Sequence, residues 1–350
     1  MAQRGENTYR EITGQPEAWA EALEVGRAAT AGLQRLWERS RVRELLFTGC
    51  GSTHYLSLAA AALARERGLA ARALPASEVW LFPKLAGPDV SRVLLVAVSR
   101  SGETSETVHA VETFRQAGGQ AAVTVGCYPE ATLAGVCDLT LAVPKAQEVS
   151  VAQTRSFASM LILCQFVVAA LAEDAGLAGR LEALPRLGAQ LLDSCAELAA
   201  GLGTEESLQR FFFLGSGPRY GLACETMLKM KEMSLSYSEA YHPLEFRHGP
   251  KSVVGEGSLV IGLLSDAARA QESTVLADMK ALGARTLALV EAGAAEFGDA
   301  DHVIPLASGL AEADRLALYL PALQLLAYHR ALANGQDPDR PRNLTAVVTL

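Results

Sequence analysis

The chain has no uninterrupted run of eighteen apolar residues, and its opening, MAQRGENTYREI, is polar without a hydrophobic segment. Neither a membrane span nor a signal peptide is therefore expected, and a cytoplasmic location follows as the expectation. Clusters of Lys and Arg are also missing. The net charge is −8 and the isoelectric point near 5.4, which argues against the basic surface that nucleic acid or an anionic membrane requires. The six cysteines, Cys50, Cys127, Cys137, Cys164, Cys195 and Cys224, stand isolated, with no C-x-x-C and no histidine at zinc spacing. They read as buried thiols. His54, His109, His242, His302 and His329 form no ligand spacing, so no metal is expected, and no cofactor is implied.

What is present is a folded chain of 350 residues, half of them hydrophobic and 20% charged, long enough for two domains. Two helical patterns, Ala18 to Ala31 and Leu33 to Ser40, form an N-terminal arm over residues 1–40. Apolar strands then alternate with helical stretches. ELLFTG (44–49), Arg72 to Ala76, Arg92 to Val98, Gln120 to Gly126 and Asp138 to Val143 are five strands of a first module, 41–180. Phe211 to Leu214, Leu259 to Leu264, Arg285 to Val290 and His302 to Pro305 are strands of a second, 200–350. Such alternation implies parallel sheets covered on both faces. LLFTGCGSTHYLSLAAAALA and FFFLGSGPRYGLACETMLKM share one pattern: an apolar strand, a G-x-G turn with a hydroxyl residue, then a helix of small residues. An internal duplication follows.

Three constellations could carry chemistry. Ser99-Arg100-Ser101-Gly102-Glu103-Thr104 sits where a strand hands over to a helix, where hydroxyls and free N–H groups can hold a phosphate. It lacks the Gly-Lys of a nucleotide P-loop. Cys50-Gly51-Ser52-Thr53 repeats the arrangement, and neighbouring strand ends of a doubly wound sheet converge on one crevice. Ser and Thr at such positions also serve as ordinary N-caps; two loops together favour a site. In the helix Gly221 to Ser234, Glu225, Lys229 and Glu232 share a face, with Lys231 turned away. Alone, Lys229 and Glu232 read as an ion pair on a solvated face, worth about 0.2–0.5 kcal/mol. His248 lies in a Gly-Pro turn, where loops often supply catalytic groups.

Taken in order, C-G-S-T, S-R-S-G-E-T, K-x-K-E, E-A-Y, R-H-G-P and the closing P-R-N-L resemble the sugar isomerase (SIS) family. The likeness runs from about Tyr9 to Leu350 and is nearest to the isomerase half of the glutamine:fructose-6-phosphate amidotransferases and to stand-alone amino-sugar-phosphate deaminases. It implies two tandem SIS modules, each a doubly wound, flavodoxin-like five-stranded parallel sheet flanked by helices. It further implies that Ser52, Thr53, Ser99, Arg100, Ser101 and Thr104 hold a sugar phosphate and that Val151 and Gln153 touch the sugar. Glu232 resembles the carboxylate that moves a proton between C1 and C2, and Lys229 its companion. His248 resembles the ring-opening residue, supplied across the interface of a homodimer.

The sequence departs from the amidotransferase pattern twice. It enters the sugar module almost directly, so no glutaminase domain is expected, and P-R-N-L-x-K becomes Pro341-Arg342-Asn343-Leu344-Thr345-Ala346, with no lysine after Lys280. The expectation is an isomerase releasing ammonia from an amino-hexose 6-phosphate. Its rivals are a fructosamine-6-phosphate deglycase and a non-catalytic sugar-phosphate sensor. The sensor reading is disfavoured because the residues before the first strand are too few and insufficiently basic for a DNA-binding domain.

Overall fold

The computed structural model describes residues 4–291 and 300–347. It contains two five-stranded parallel sheets, each in its own compact unit. The first sheet consists of β1 (Glu44–Gly49), β2 (Ala70–Pro75), β3 (Val93–Val98), β4 (Ala121–Gly126) and β5 (Leu139–Ala142), in the order β2-β1-β3-β4-β5. The second has β6 (Arg210–Gly215), β7 (Tyr237–Tyr241), β8 (Ser258–Leu263), β9 (Arg285–Val290) and β10 (His302–Pro305), in the order β7-β6-β8-β9-β10. Both follow the doubly wound order in which chain direction reverses beside the first strand. That is the architecture expected.

The central strands are buried on both faces: VLLVAV of β3 and AAVTVG of β4 are buried throughout, as continuous apolar runs in parallel sheets must be. Phe211, Phe212 and Phe213 of β6 are each 0% exposed, a contribution of about 1.5–3 kcal/mol apiece. β7 was not among the expected strands. Its sequence, YSEAY, carries a glutamate and lies at the sheet edge, so it lacks the apolar run that marks the interior strands.

The N-terminal segment differs from the expected arm. Gln15–Arg39 is one helix of 25 residues, continuous through Gly32, and a separate helix, Glu6–Thr13, precedes it. The long helix packs along Arg155–Leu171, a helix buried at every position after Arg155. At the contact Gly26 lies against the Phe166 ring, where a methyl would overlap it. That packing outweighs the local cost of Gly32.

The units are not contiguous in sequence. The first-sheet unit takes residues 14–148, 153–185 and 345–347, and the second-sheet unit takes 4–13, 149–152 and 186–344. Within the second, Glu11 receives the N–H groups of Val149 and Ser150 and the Ser150 hydroxyl, and Asp339 receives Asn7 and Thr8. These carboxylates pin segments distant in sequence to one body. All six cysteines are free thiols, and burial pushes Cys195 and Cys224 up to about 11, which leaves them unreactive. Among the described residues no helix is long and apolar enough to cross a membrane.

Candidate active site

In the first-sheet unit, β1 ends against a glycine turn that launches the helix Ser52–Glu66. Gly51 adopts φ 55°, and at Gly49 an added Cβ would come within 2.8 Å of the Val98 carbonyl, so only glycine lets β1 and β3 close here. Ser52 and Thr53 are both buried. The Thr53 hydroxyl accepts the Cys50 N–H at 2.9 Å and donates to the Cys50 carbonyl at 3.0 Å, so it closes the turn.

The next loop is built the same way. Ser99 is 2% exposed; its hydroxyl accepts the Gly102 N–H at 3.1 Å and lies 3.4 Å from the Thr104 hydroxyl. Ser101 accepts the Glu103 N–H at 3.1 Å and reaches a cavity of about 540 Å³ that Tyr128, Gln147 and Val347 also line. Neither Ser52–Glu66 nor Ser105–Gln116 has a side-chain cap. The hydroxyls of these two loops are thus not explained as helix caps: they shape two adjacent strand-end turns.

Arg100 departs from expectation. Its guanidinium, nearly buried, reaches Glu148 at 3.2 Å and the Ala346 carbonyl at 3.0 Å. Burial demands a counter-charge, and Glu148, itself 0% exposed, provides it. The same carboxylate accepts the N–H and hydroxyl of Thr154 and of Ser156 at the start of the helix Arg155–Leu171. Sequence reasoning missed Glu148, because a carboxylate six residues ahead of the Thr154 it caps matches no local capping pattern. Gln153, in the same unit, holds its amide oxygen buried and without a hydrogen-bond partner among the described residues. Val151 belongs to the second-sheet unit, where its N–H meets the Asp339 carbonyl at 3.3 Å.

The second-sheet unit holds the acid and base residues. β6 runs through Gly215 and Gly217 (φ 55°) into the helix Pro218–Ser234, where any Cβ on Gly215 would overlap the Arg219 carbonyl. The helix Leu320–Ala333 packs across it. Lys229 is 1% exposed, with its ammonium 3.4 Å from Glu225 and bonded to Glu232. The solvated ion pair read from local spacing is instead a buried triad. Glu225 is 0% exposed, whereas the Glu232 side chain keeps 19% of its surface, so one carboxylate is locked inside and the other faces outward. Lys231 is exposed, as expected.

His248 is exposed in the turn before Gly249 (φ 110°), its N–H held by the Glu245 carbonyl at 2.9 Å. Among the described residues it makes no bond to Glu232. His242, which sequence reasoning assigned no role, stacks on Tyr220 with centroids 3.9 Å apart, and burial lowers its pKa below the usual histidine value. In the E-A-Y motif, Glu239 accepts both the Tyr237 and the Tyr241 hydroxyls, and burial together with that carboxylate pushes Tyr241 up to about 12.

The family profile for the SIS domain matches residues 41–170 and 207–327. The chain is 31% identical over 354 residues to the glutamine–fructose-6-phosphate aminotransferase [isomerizing] of Pyrobaculum aerophilum, covering 97% of this chain and 57% of that protein. It therefore spans little more than half of that relative. The crystal structure of glucosamine-6-phosphate deaminase from Thermotoga maritima superposes with a TM-score of 0.76 at 27% identity, over 94% of this chain and 100% of the other. The tagatose-6-phosphate ketose/aldose isomerase of Escherichia coli shares the fold, with a TM-score of 0.80 at 24% identity over 97% and 98%.

Proposed function

The chain belongs to the SIS domain family, and from that premise we propose that it is a phosphosugar isomerase that releases ammonia from an amino-hexose 6-phosphate such as glucosamine 6-phosphate. The observation that carries the reading is the buried Lys229 held between Glu225 and the outward-facing Glu232. A fixed carboxylate beside a cation that holds its orientation is what a proton shuttle needs.

In the proposed sequence the 6-phosphate is held by the Ser52–Thr53 and Ser99–Thr104 turns, with Val151 and Gln153 against the sugar. His248 of a second subunit opens the ring in a homodimer. Glu232 removes the proton from C2 of the open aldehyde and returns it to C1, while the C1 oxygen gains the proton that the substrate's ammonium group gives up, so the C1 carbonyl becomes an alcohol and C2 an iminium. Water adds to C2 and ammonia leaves, giving fructose 6-phosphate. The balance is one water consumed and one ammonia released, and no redox partner is required.

The test follows ammonia and fructose 6-phosphate together from glucosamine 6-phosphate. Both should form, and both should be lost in Glu232→Gln. One observation favours a second reading, cleavage of a fructosamine 6-phosphate conjugate: Ala346 stands where a lysine would meet the sugar carbonyl, and its own carbonyl is bound by Arg100. Turnover of a glycated amino-acid 6-phosphate, with glucosamine 6-phosphate bound but unreacted, would select that reading.

A further inference from the structure

The two units repeat one register, so their positions can be matched. Glu44 pairs with Val93 across β1 and β3, and Arg210 pairs with Ser258 across β6 and β8. On this match Arg219 takes the place of Thr53, and the loop opening at Leu264 takes the place of the one opening at Ser99. Where the first-sheet loop presents hydroxyls, the second is filled by a carboxylate of the chain itself. Oε2 of Glu312 accepts the N–H groups of Asp266 at 2.9 Å and Ala267 at 3.3 Å, while Oε1 pairs with Nη1 of Arg219.

Two consecutive backbone N–H groups and a guanidinium are a donor set for a tetrahedral oxyanion. The Arg219 side chain is 4% exposed, and its Nε is buried without a hydrogen-bond partner, so a donor there goes unused by the carboxylate. Arg315 and Arg269 both bond Asp266 Oδ1 on the same loop and add positive potential. Glu312 also has a counterpart. It lies ten residues after the start of β10, and Glu148 lies nine after the start of β5. In the first-sheet unit that carboxylate turns to Thr154 and Ser156 on the following helix; in the second it lies across the loop.

We propose that the carboxyl end of the second sheet is a duplicate anion cradle, occupied by Glu312, and that this residue confines phosphate binding to one site per chain. Freed of Glu312, the cradle takes inorganic phosphate or a phosphate monoester. The expected stoichiometry rests on the reading of the Ser99–Thr104 loop as the substrate's phosphate site; the occupancy by Glu312 does not.

Calorimetric titration of the full chain with inorganic phosphate tests it. The wild type should bind one equivalent and Glu312→Ala two, and adding Arg219→Gln to Glu312→Ala should return the count to one. Glu312→Ala combined with Ser99→Ala and Ser101→Ala should keep the new site. If the wild type binds none while Glu312→Ala binds one, the first-sheet cradle fails and this proposal stands. A folded Glu312→Ala that binds no more phosphate than the wild type overturns it. Should Glu312→Ala be unfolded in chloride, phosphate is expected to restore its melting transition, and failure to do so overturns the proposal equally.

Discussion

Replacing Lys229 with methionine removes an ammonium from between two carboxylates while keeping most of the side-chain volume. Because Glu225 is 0% exposed and Lys229 1%, the variant takes the lysine partner away from a carboxylate inside the protein. Breaking a buried pair in this way costs about 3–5 kcal/mol, against at most about 1 kcal/mol for an exposed pair. For a unit of this size that is a fall in Tm of roughly 6–20 °C, taking about 2–4 °C per kcal/mol. Urea melts followed by circular dichroism measure it directly. Adding Glu225→Gln to Lys229→Met should return about 2 kcal/mol or more, since the buried charge that lost its lysine is then gone. A Lys229→Met protein within about 1 kcal/mol of the wild type would refute the buried triad, and with it the argument that Glu232 is held in a fixed orientation.

Other outcomes follow from the same geometry. Glu232→Gln should lower kcat for isomerisation by about 10²–10⁴-fold with little change in KM, as loss of a general base does; steady-state kinetics decide it. Glu148→Gln should destabilise the first-sheet unit by about 1–3 kcal/mol, because buried Arg100 loses its counter-charge and one end of the helix Arg155–Leu171 its charged acceptor; denaturant midpoints report this. The hydrogen bond from Arg315 holds the Asp266 carboxyl below the usual carboxylate range. Its pKa is lower folded than unfolded, so its stabilisation is present above about pH 4 and is lost as pH falls through the folded value. Melts below about pH 4 should show a steeper acid limb in the wild type than in Asp266→Asn; coincident limbs would remove Asp266 as a contributor.

Much of this was legible along the chain. The apolar runs of β1, β3, β4 and β6, the glycines at 49, 51, 215 and 217, and the repeated strand-turn-helix unit specify two doubly wound sheets, since each is a property of neighbouring residues. The i, i+4, i+7 spacing likewise placed Glu225, Lys229 and Glu232 on one face. Where reading failed, the deciding contact came from far away. The edge strand β7 and the unbroken helix through Gly32 both depend on partners rather than on their own pattern.

Sequence alone therefore determined the order of elements and the chemistry on offer: hydroxyl turns at two strand ends and an acid-base stripe on one helix. Tertiary structure decided what that chemistry faces. Lys229 is a buried cation, 1% exposed, on a helix that packs against Leu320–Ala333, β6 and β7, Arg100 turns to Glu148, and Glu312 closes over the loop at Asp266. Helical and strand periods are set by local backbone geometry, but whether a charge is solvated depends on surfaces contributed by residues distant in sequence, as Glu148 is from Arg100 and Glu312 from Asp266, and no local pattern encodes those.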